Sequence, residues 1–148
     1  MITFANGKSY EQVSALGAVQ TFQGQLRNTL AMKFRSADIT LAEATELYKD
    51  AEALKEINIV ENYTEMGTDS EGNSVEIERT RSSVQLNFTL PVELTLSTEK
   101  ISPTESAEVV TIKVAQKSAL EIAQERQAVD IAACEAAIID IGTLLGGE

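Results

Sequence analysis

The order of hydrophobic and polar residues along the chain predicts two different regions. Up to residue 116, short stretches alternate between apolar and polar side chains, as in strands with one buried face, and turn-forming residues separate them. From Lys117 onward the chain lacks proline, has no glycine before Gly142 and is rich in Ala, Glu, Gln and Leu. We therefore predict a β-rich domain over residues 1–116 and a helical C-terminal segment over residues 117–148.

Six stretches carry the strand prediction. Residues 2–4 lead into Asn6-Gly7, a pair that favours a type I′ turn, and residues 8–13 are expected to return as the partner strand. Pro91 indicates an edge strand or a bend, because proline cannot donate a hydrogen bond to a neighbouring strand. The remaining predictions are an extended piece at residues 20–23, a strand at 27–34, a hairpin over 56–79, an alternating run from Val84 to Leu90 that continues past Pro91, and a strand at 109–114.

One short helix interrupts the strands. In "TLAE", Thr40 and Glu43 have the spacing of a capping box, in which each side chain satisfies a free backbone amide at a helix start. A helix over residues 41–49 follows from this signal. The predicted fold is α+β: a mostly antiparallel β-barrel or sandwich with one short helix and a long C-terminal helix.

The composition is that of a globular protein. Hydrophobic residues make up 43% of the 148 positions and charged residues 24%, and no apolar run reaches the roughly 20 residues of a membrane span. The first residues lack the basic, apolar and small-residue pattern of a secretion signal. We therefore expect neither a membrane association nor secretion, and a location in the cytoplasm in which the chain is made.

Candidate chemistry is sparse. The chain contains no histidine, the commonest general base and zinc ligand. It also lacks a G-x-S-x-G, a G-x-G-x-x-G and a phosphate-binding loop, and its carboxylate pairs do not have calcium-loop spacing. We predict a protein that is not an enzyme and that has no cofactor, no metal and no small-molecule substrate. A net charge of −11 also argues against nucleic acid and anionic membranes as partners.

The single cysteine and the aromatic residues are interpreted as structural. Cys134 has alanine neighbours and no base to activate it, so we predict a buried thiol of a helix. The aromatic side chains could form a ligand platform, but their scatter favours core positions; they are Tyr10, Phe22, Tyr48 and Phe88.

The strongest signal outside the predicted core is an apolar stripe near the C-terminus. Its residues are spaced three, four, three and four apart, as in a seam between packed helices: Ile131, Cys134, Ile138, Ile141 and Leu145. We predict that this stripe contacts another subunit or another protein. A helix buried inside a monomer would have a similar pattern, and this alternative stays open.

Four phrases in fixed order resemble a known class of protein: "FANGKSY", "TFQGQLRNTLAMKF", "ITLAEATELYKDAEALKEINI" and "VTIKVAQKSALEIAQERQAVDIAACEAAI". The chain is similar to small structural proteins encoded in the tail-gene region of phages and prophages of Gram-positive bacteria. The matching positions are Phe22, Gly24, Arg27, Leu30, Leu41, Leu47, Gln116, Lys117, Leu120 and Glu121. The resemblance implies a non-enzymatic virion protein of the tail or baseplate. Such a protein assembles with itself or docks on other virion proteins.

Gly24 and Arg27 are predicted to be architectural. Gly24 allows a sharp backbone turn, and Arg27 is expected to tie that turn to a carboxylate in the sheet or in the next subunit. By residue type alone, Arg27 could instead bind a carboxylate or phosphate ligand, or form a surface ion pair.

A rival hypothesis belongs to another class. A small acidic phage-encoded intracellular protein could bind and inhibit a host factor, its carboxylates imitating nucleic acid. Against this, 12 Lys and Arg residues are interspersed among 23 Asp and Glu residues. A carbohydrate-binding module would need exposed aromatic side chains, and the chain has no tryptophan.

Overall fold

The computed structural model describes the backbone of residues 1–146 and the side chains of residues 1–136. Its strands are β1 (Ile2–Phe4), β2 (Ser9–Tyr10), β3 (Ser14–Phe22), β4 (Gln25–Arg35), β5 (Glu56–Thr68), β6 (Ser74–Leu86), β7 (Leu90–Ser102) and β8 (Glu105–Ala115). Its helices are α1 (Leu41–Lys49), α2 (Ala51–Leu54) and α3 (Ala119–Gly146). By compactness the chain divides into two units, Met1–Gln116 and Lys117–Glu148.

Two open antiparallel sheets form the first unit. The first sheet has the strand order β2-β1-β5-β6 and the second sheet the order β3-β4-β8-β7. In the described residues neither sheet closes on itself, so of the two predicted arrangements the sandwich is correct and the barrel is not. The α+β prediction with a short helix and a long C-terminal helix is confirmed.

The core lies between the sheets because alternate side chains of the central strands point inward. Ile2, Phe4, Ile57 and Ile59 of the first sheet belong to one buried cluster with Leu30, Met32, Phe34, Val110, Ile112 and Val114 of the second sheet. The predicted inward face of residues 27–34 is therefore confirmed. Phe88 also joins this cluster, and Tyr10 and Tyr48 pack against its margin, whereas Phe22, also predicted in the core, belongs to neither group.

The helix α1 begins as the sequence predicts. Thr40 accepts a hydrogen bond from the Glu43 amide at 3.1 Å, and the Glu43 carboxylate accepts one from the Thr40 amide at 3.2 Å. Asp50 then ends α1 and caps the short helix α2 by accepting from the Ala53 amide at 3.1 Å. This second helix was not predicted, because four residues are too few to produce a helical period.

The first turn differs from the predicted type I′ geometry. Gly7 has a positive φ of +84°, whereas Asn6 is not among the residues with positive φ. Gly7 donates to the Phe4 carbonyl and Phe4 donates to the Lys8 carbonyl, each at 2.9 Å. These bonds define a three-residue loop that ends in a left-handed glycine. The return strand β2 is correspondingly only two residues long.

The alternating run from Val84 to Leu90 is not one strand. β6 ends at Leu86, Asn87 adopts a φ of +64°, and β7 begins at Leu90 in the other sheet. The period of two continues across this break, so hydrophobicity alone could not show that the chain changes sheets. Pro91 does lie on an edge strand, as predicted, because β7 is the last strand of the second sheet.

Candidate interaction surfaces

Gly24 forms a tight turn between β3 and β4. Phe22 pairs with Gln25, so that only Gln23 and Gly24 connect the two strands. Both have positive φ, +52° and +77°, which is the type I′ geometry of a two-residue hairpin. Glycine adopts such angles without steric cost, and a Cβ added at Gly24 would meet no atom within 4 Å.

Arg27 lies directly behind this turn and is 5% exposed. Its Nε donates to the Phe22 carbonyl at 3.1 Å, and its NH1 group donates to the Gln116 carbonyl at 3.3 Å. The guanidinium thus joins the end of β3 to the residue that follows β8. Because Arg27 is buried, an architectural role is a better interpretation of this residue than a surface ion pair. The predicted carboxylate partner of Arg27 stays a prediction.

A capping box also starts the C-terminal helix. Ser118 accepts a hydrogen bond from the Glu121 amide at 3.2 Å, and the Glu121 carboxylate accepts one from the Ser118 amide at 3.0 Å. Lys117 forms an ion pair with Glu125, which lies one turn beyond Glu121. This second capping box was not predicted, although the S-x-x-E spacing at residues 118–121 is the same kind of signal that predicted α1.

The middle of α3 is a candidate interface because all its side chains are exposed. Every position from 123 to 136 is exposed, including Val129 at 68% and Ile131 at 58%. Cys134 is exposed as well, so the predicted buried thiol is wrong for the single chain: its described neighbours on the helix, from position 123 to 136, are all exposed too. Ile138, Ile141 and Leu145 lie outside the described side chains.

A second exposed feature is the outer half of the hairpin formed by β5 and β6. Arg81 donates to the Glu61 carboxylate at 2.6 Å, and its guanidinium carbon lies 5.8 Å from the centre of the Tyr63 ring. Arg79 and Glu65 form a further ion pair at 3.4 Å. The hydrogen bond from Arg81 to Glu61 raises the pKa of Arg81 above its usual value, so this group stays charged. Cross-strand pairs therefore hold the hairpin together where both its faces are exposed.

A groove of about 540 Å³ opens between the two sheets. Its lining includes Val19, Asn28, Ile59, Glu61 and Arg81. The one carboxylate in this lining, that of Glu61, accepts a hydrogen bond from Arg81. In the part of the chain that the structure describes, no group of three or more His, Cys, Asp or Glu side chains could hold a metal ion.

The described helices include none with the length and apolar character needed to cross a membrane. Comparison of the chain with protein-family models, with curated proteins and with solved structures finds no match. The fold and its exposed surfaces therefore have to indicate the function.

Proposed function

We propose that this chain is a non-enzymatic structural protein of a phage virion, associated with the tail or baseplate, that assembles with itself or docks on other virion proteins. It enters the virion from the host cytoplasm and needs no cofactor, nucleic acid, membrane or small-molecule substrate. The observation that supports this function best is the row of 14 consecutive exposed positions in α3, residues 123–136.

A helix exposed on all sides is poorly stabilised. Most helical stability in proteins comes from packing an apolar face, and an isolated helix is marginal in water. Burying one large aliphatic side chain contributes about 1.5–3 kcal/mol. The burial of Ile131 alone would therefore contribute this much to the free energy of association with a partner. The contact residues of this proposal are Ile131, Cys134, Ile138, Ile141 and Leu145.

The alternative is a small acidic phage-encoded intracellular protein that binds and inhibits a host factor. The net charge of −11 favours it, because an acidic surface can imitate nucleic acid. The ion pairs of the β5–β6 hairpin weigh against it, since Arg79 and Arg81 neutralise carboxylates there. Mass spectrometry of purified virions separates the two: a stoichiometric amount of the chain supports the structural role, and its absence supports the inhibitor.

Light scattering coupled to size exclusion tests the helix as the assembly element. We expect Ile131→Glu to lose the helix-dependent association of the wild-type chain and to form a smaller species, because a charge in the stripe cannot be buried without a compensating charge. Ala133→Glu is the matched control: it adds the same charge at an exposed position off the stripe, and it should leave the oligomer intact.

A chain truncated after Gln127 gives an independent readout. If the helix is the assembly element, this chain should be folded and should form a smaller species than the wild-type chain. A monomeric wild-type chain at high concentration, together with an unfolded truncated chain, would show that the helix is intramolecular core and would overturn the proposal.

A further inference from the structure

One edge of the second sheet lacks the features that normally prevent strands from pairing between molecules. β3 is the terminal strand of that sheet and spans nine residues, Ser14–Phe22. Residues 12–26 contain no charged side chain, although the whole chain carries a net charge of −11. Leu16 and Val19 on this edge are 63% and 65% exposed. An exposed, uncharged edge strand is a template for another strand.

The other three edges are protected. β2 has only two residues. β6 carries four charged side chains, Glu76, Glu78, Arg79 and Arg81. β7 contains Pro91, and its pairing with β8 shifts register next to that proline and again near Ser102. Short length, charges, prolines and bulges are the usual means of blunting an edge. Among the four edge strands, β3 alone lacks all of these features. This indicates that its edge pairs with another strand.

The tight turn determines which backbone groups of β3 point outward. In a two-residue hairpin the pair that flanks the turn, here Phe22 and Gln25, is hydrogen-bonded, and the pairs then alternate along the strands. Gln20, Ala18 and Leu16 therefore bond to β4. The intervening residues, Ala15, Gly17, Val19 and Thr21, direct their backbone N–H and C=O groups away from β4.

We propose that β3 pairs antiparallel with β3 of a second copy of this chain across a two-fold axis at Ala18. The two second sheets then form one continuous eight-stranded sheet. The inference depends on the edge strand alone and is independent of the proposed virion function.

The register follows from the outward-pointing groups. With Ala18 opposite itself, Gly17 lies opposite Val19 and Ala15 lies opposite Thr21, and these are the residues whose backbone groups are directed outward. The pairs exchange about eight backbone hydrogen bonds in total. The side chains also match in size, since Val19 lies opposite Gly17 and Phe22 lies opposite Ser14. The absence of charge lets two acidic molecules approach at this edge.

Disulfide trapping tests this register. In a Cys134→Ala background, Ala18→Cys places two thiols on the two-fold axis, where the Cα atoms of a non-hydrogen-bonded pair lie about 4.5 Å apart, within disulfide range. Leu16→Cys is the matched control. Its two copies lie four residues out of register, about 14 Å apart, which is too far for a bond. We expect a covalent dimer from Ala18→Cys under mild oxidation and none from Leu16→Cys. Equal trapping at both positions, trapping at position 16 alone or no trapping at either position would overturn the proposal.

A charge substitution gives a second readout on the full chain. Val19→Lys should raise the dissociation constant of the dimer at least tenfold, because each lysine is placed beside the partner strand close to the other lysine. Val84→Lys makes the same change on the protected edge strand β6, where Val84 is 56% exposed, and should leave the dimer unchanged. An equal effect of the two substitutions would contradict pairing through β3. Ile131→Glu, combined with Ala18→Cys, separates this inference from the proposed function: trapping should persist even where helix-dependent assembly is lost.

Discussion

At the residue scale, the connection between β3 and β4 depends on a backbone conformation that few residues adopt. Gly24 has a φ of +77°, and nothing lies within 4 Å of a Cβ added there. The cost of a side chain at this position is therefore conformational and not steric.

The substitution Gly24→Ala should destabilise the fold by about 1–2 kcal/mol, because a left-handed conformation brings Cβ too close to the following carbonyl. Gly17→Ala is the control within the same hairpin. There an added Cβ would make only an ordinary contact with the Thr29 carbonyl at 3.9 Å, and the substitution should be neutral or stabilising by about 0.4–1 kcal/mol. Urea denaturation of the two variants measures both effects, and similar midpoints would contradict the turn geometry.

Arg27 should contribute more to stability than an exposed arginine of the same strand. Arg27→Met keeps the length of the side chain but leaves the partly buried carbonyls of Phe22 and Gln116 without their charged donor, at a cost of about 1–3 kcal/mol. Arg35→Met removes an exposed ion pair with Glu105 and should cost at most about 1 kcal/mol. Equal losses in the free energy of unfolding would show that Arg27 has no special role.

At the scale of elements, local sequence patterns predicted those helices and strands that depend on interactions between residues close together in the sequence. The Thr40 capping box and the alternation of Leu30, Met32 and Phe34 each report a nearby interaction, and the structure contains both. β3 was only partly predicted, as residues 20–23, because alternation is weak in "SALGAV" and an edge strand need not bury either face. The sheet change at Asn87 depends on a long-range pairing that no local pattern records.

The capping box of Ser118 and Glu121 at the start of α3, which is visible in the sequence, can be tested by substitution. Ser118→Ala removes the side-chain acceptor for the Glu121 amide and should destabilise the first turn by about 1 kcal/mol. Hydrogen exchange should then be faster at the amides of the first turn, residues 119–122. Ser118→Asp is the control, because a carboxylate also accepts from this amide and interacts favourably with the helix N-terminus. Unchanged exchange in Ser118→Ala would exclude the cap.

At the scale of the whole molecule, the uneven distribution of charge makes a prediction about salt. The chain has a net charge of −11, yet both proposed contacts, the stripe of α3 and the edge β3, use uncharged residues. Copies should therefore repel one another except at these surfaces.

Raising the salt concentration should strengthen self-association. The screening length falls from about 10 Å at 0.1 M to about 3 Å at 1 M salt, which weakens repulsion between copies and leaves apolar contacts intact. We expect sedimentation velocity to find a larger oligomeric fraction at 1 M sodium chloride. An acidic inhibitor bound to a basic host factor would behave in the opposite way, and its complex would dissociate as salt rises.

The interaction surfaces were harder to predict than the fold. The heptad spacing of Ile131 and Cys134 is visible in the sequence, but spacing cannot tell whether a stripe is covered by the same chain. The structure adds that both residues are exposed in the single chain. Nothing in the sequence identifies β3 as an edge, since strand order is decided by pairings between distant residues.

The tip of the β5–β6 hairpin is a place where a label could be inserted. Asp69 accepts from the amides of Glu71 and Asn73, and Gly72 completes the loop with a φ of +83°. The outer halves of both strands contribute nothing to the buried core, so a longer loop costs little: each doubling of loop length adds roughly 0.6 kcal/mol. An epitope placed after Glu71 should therefore leave the sandwich folded. If the chain is a virion protein, as proposed, an antibody against this epitope would mark its position on intact particles in electron micrographs.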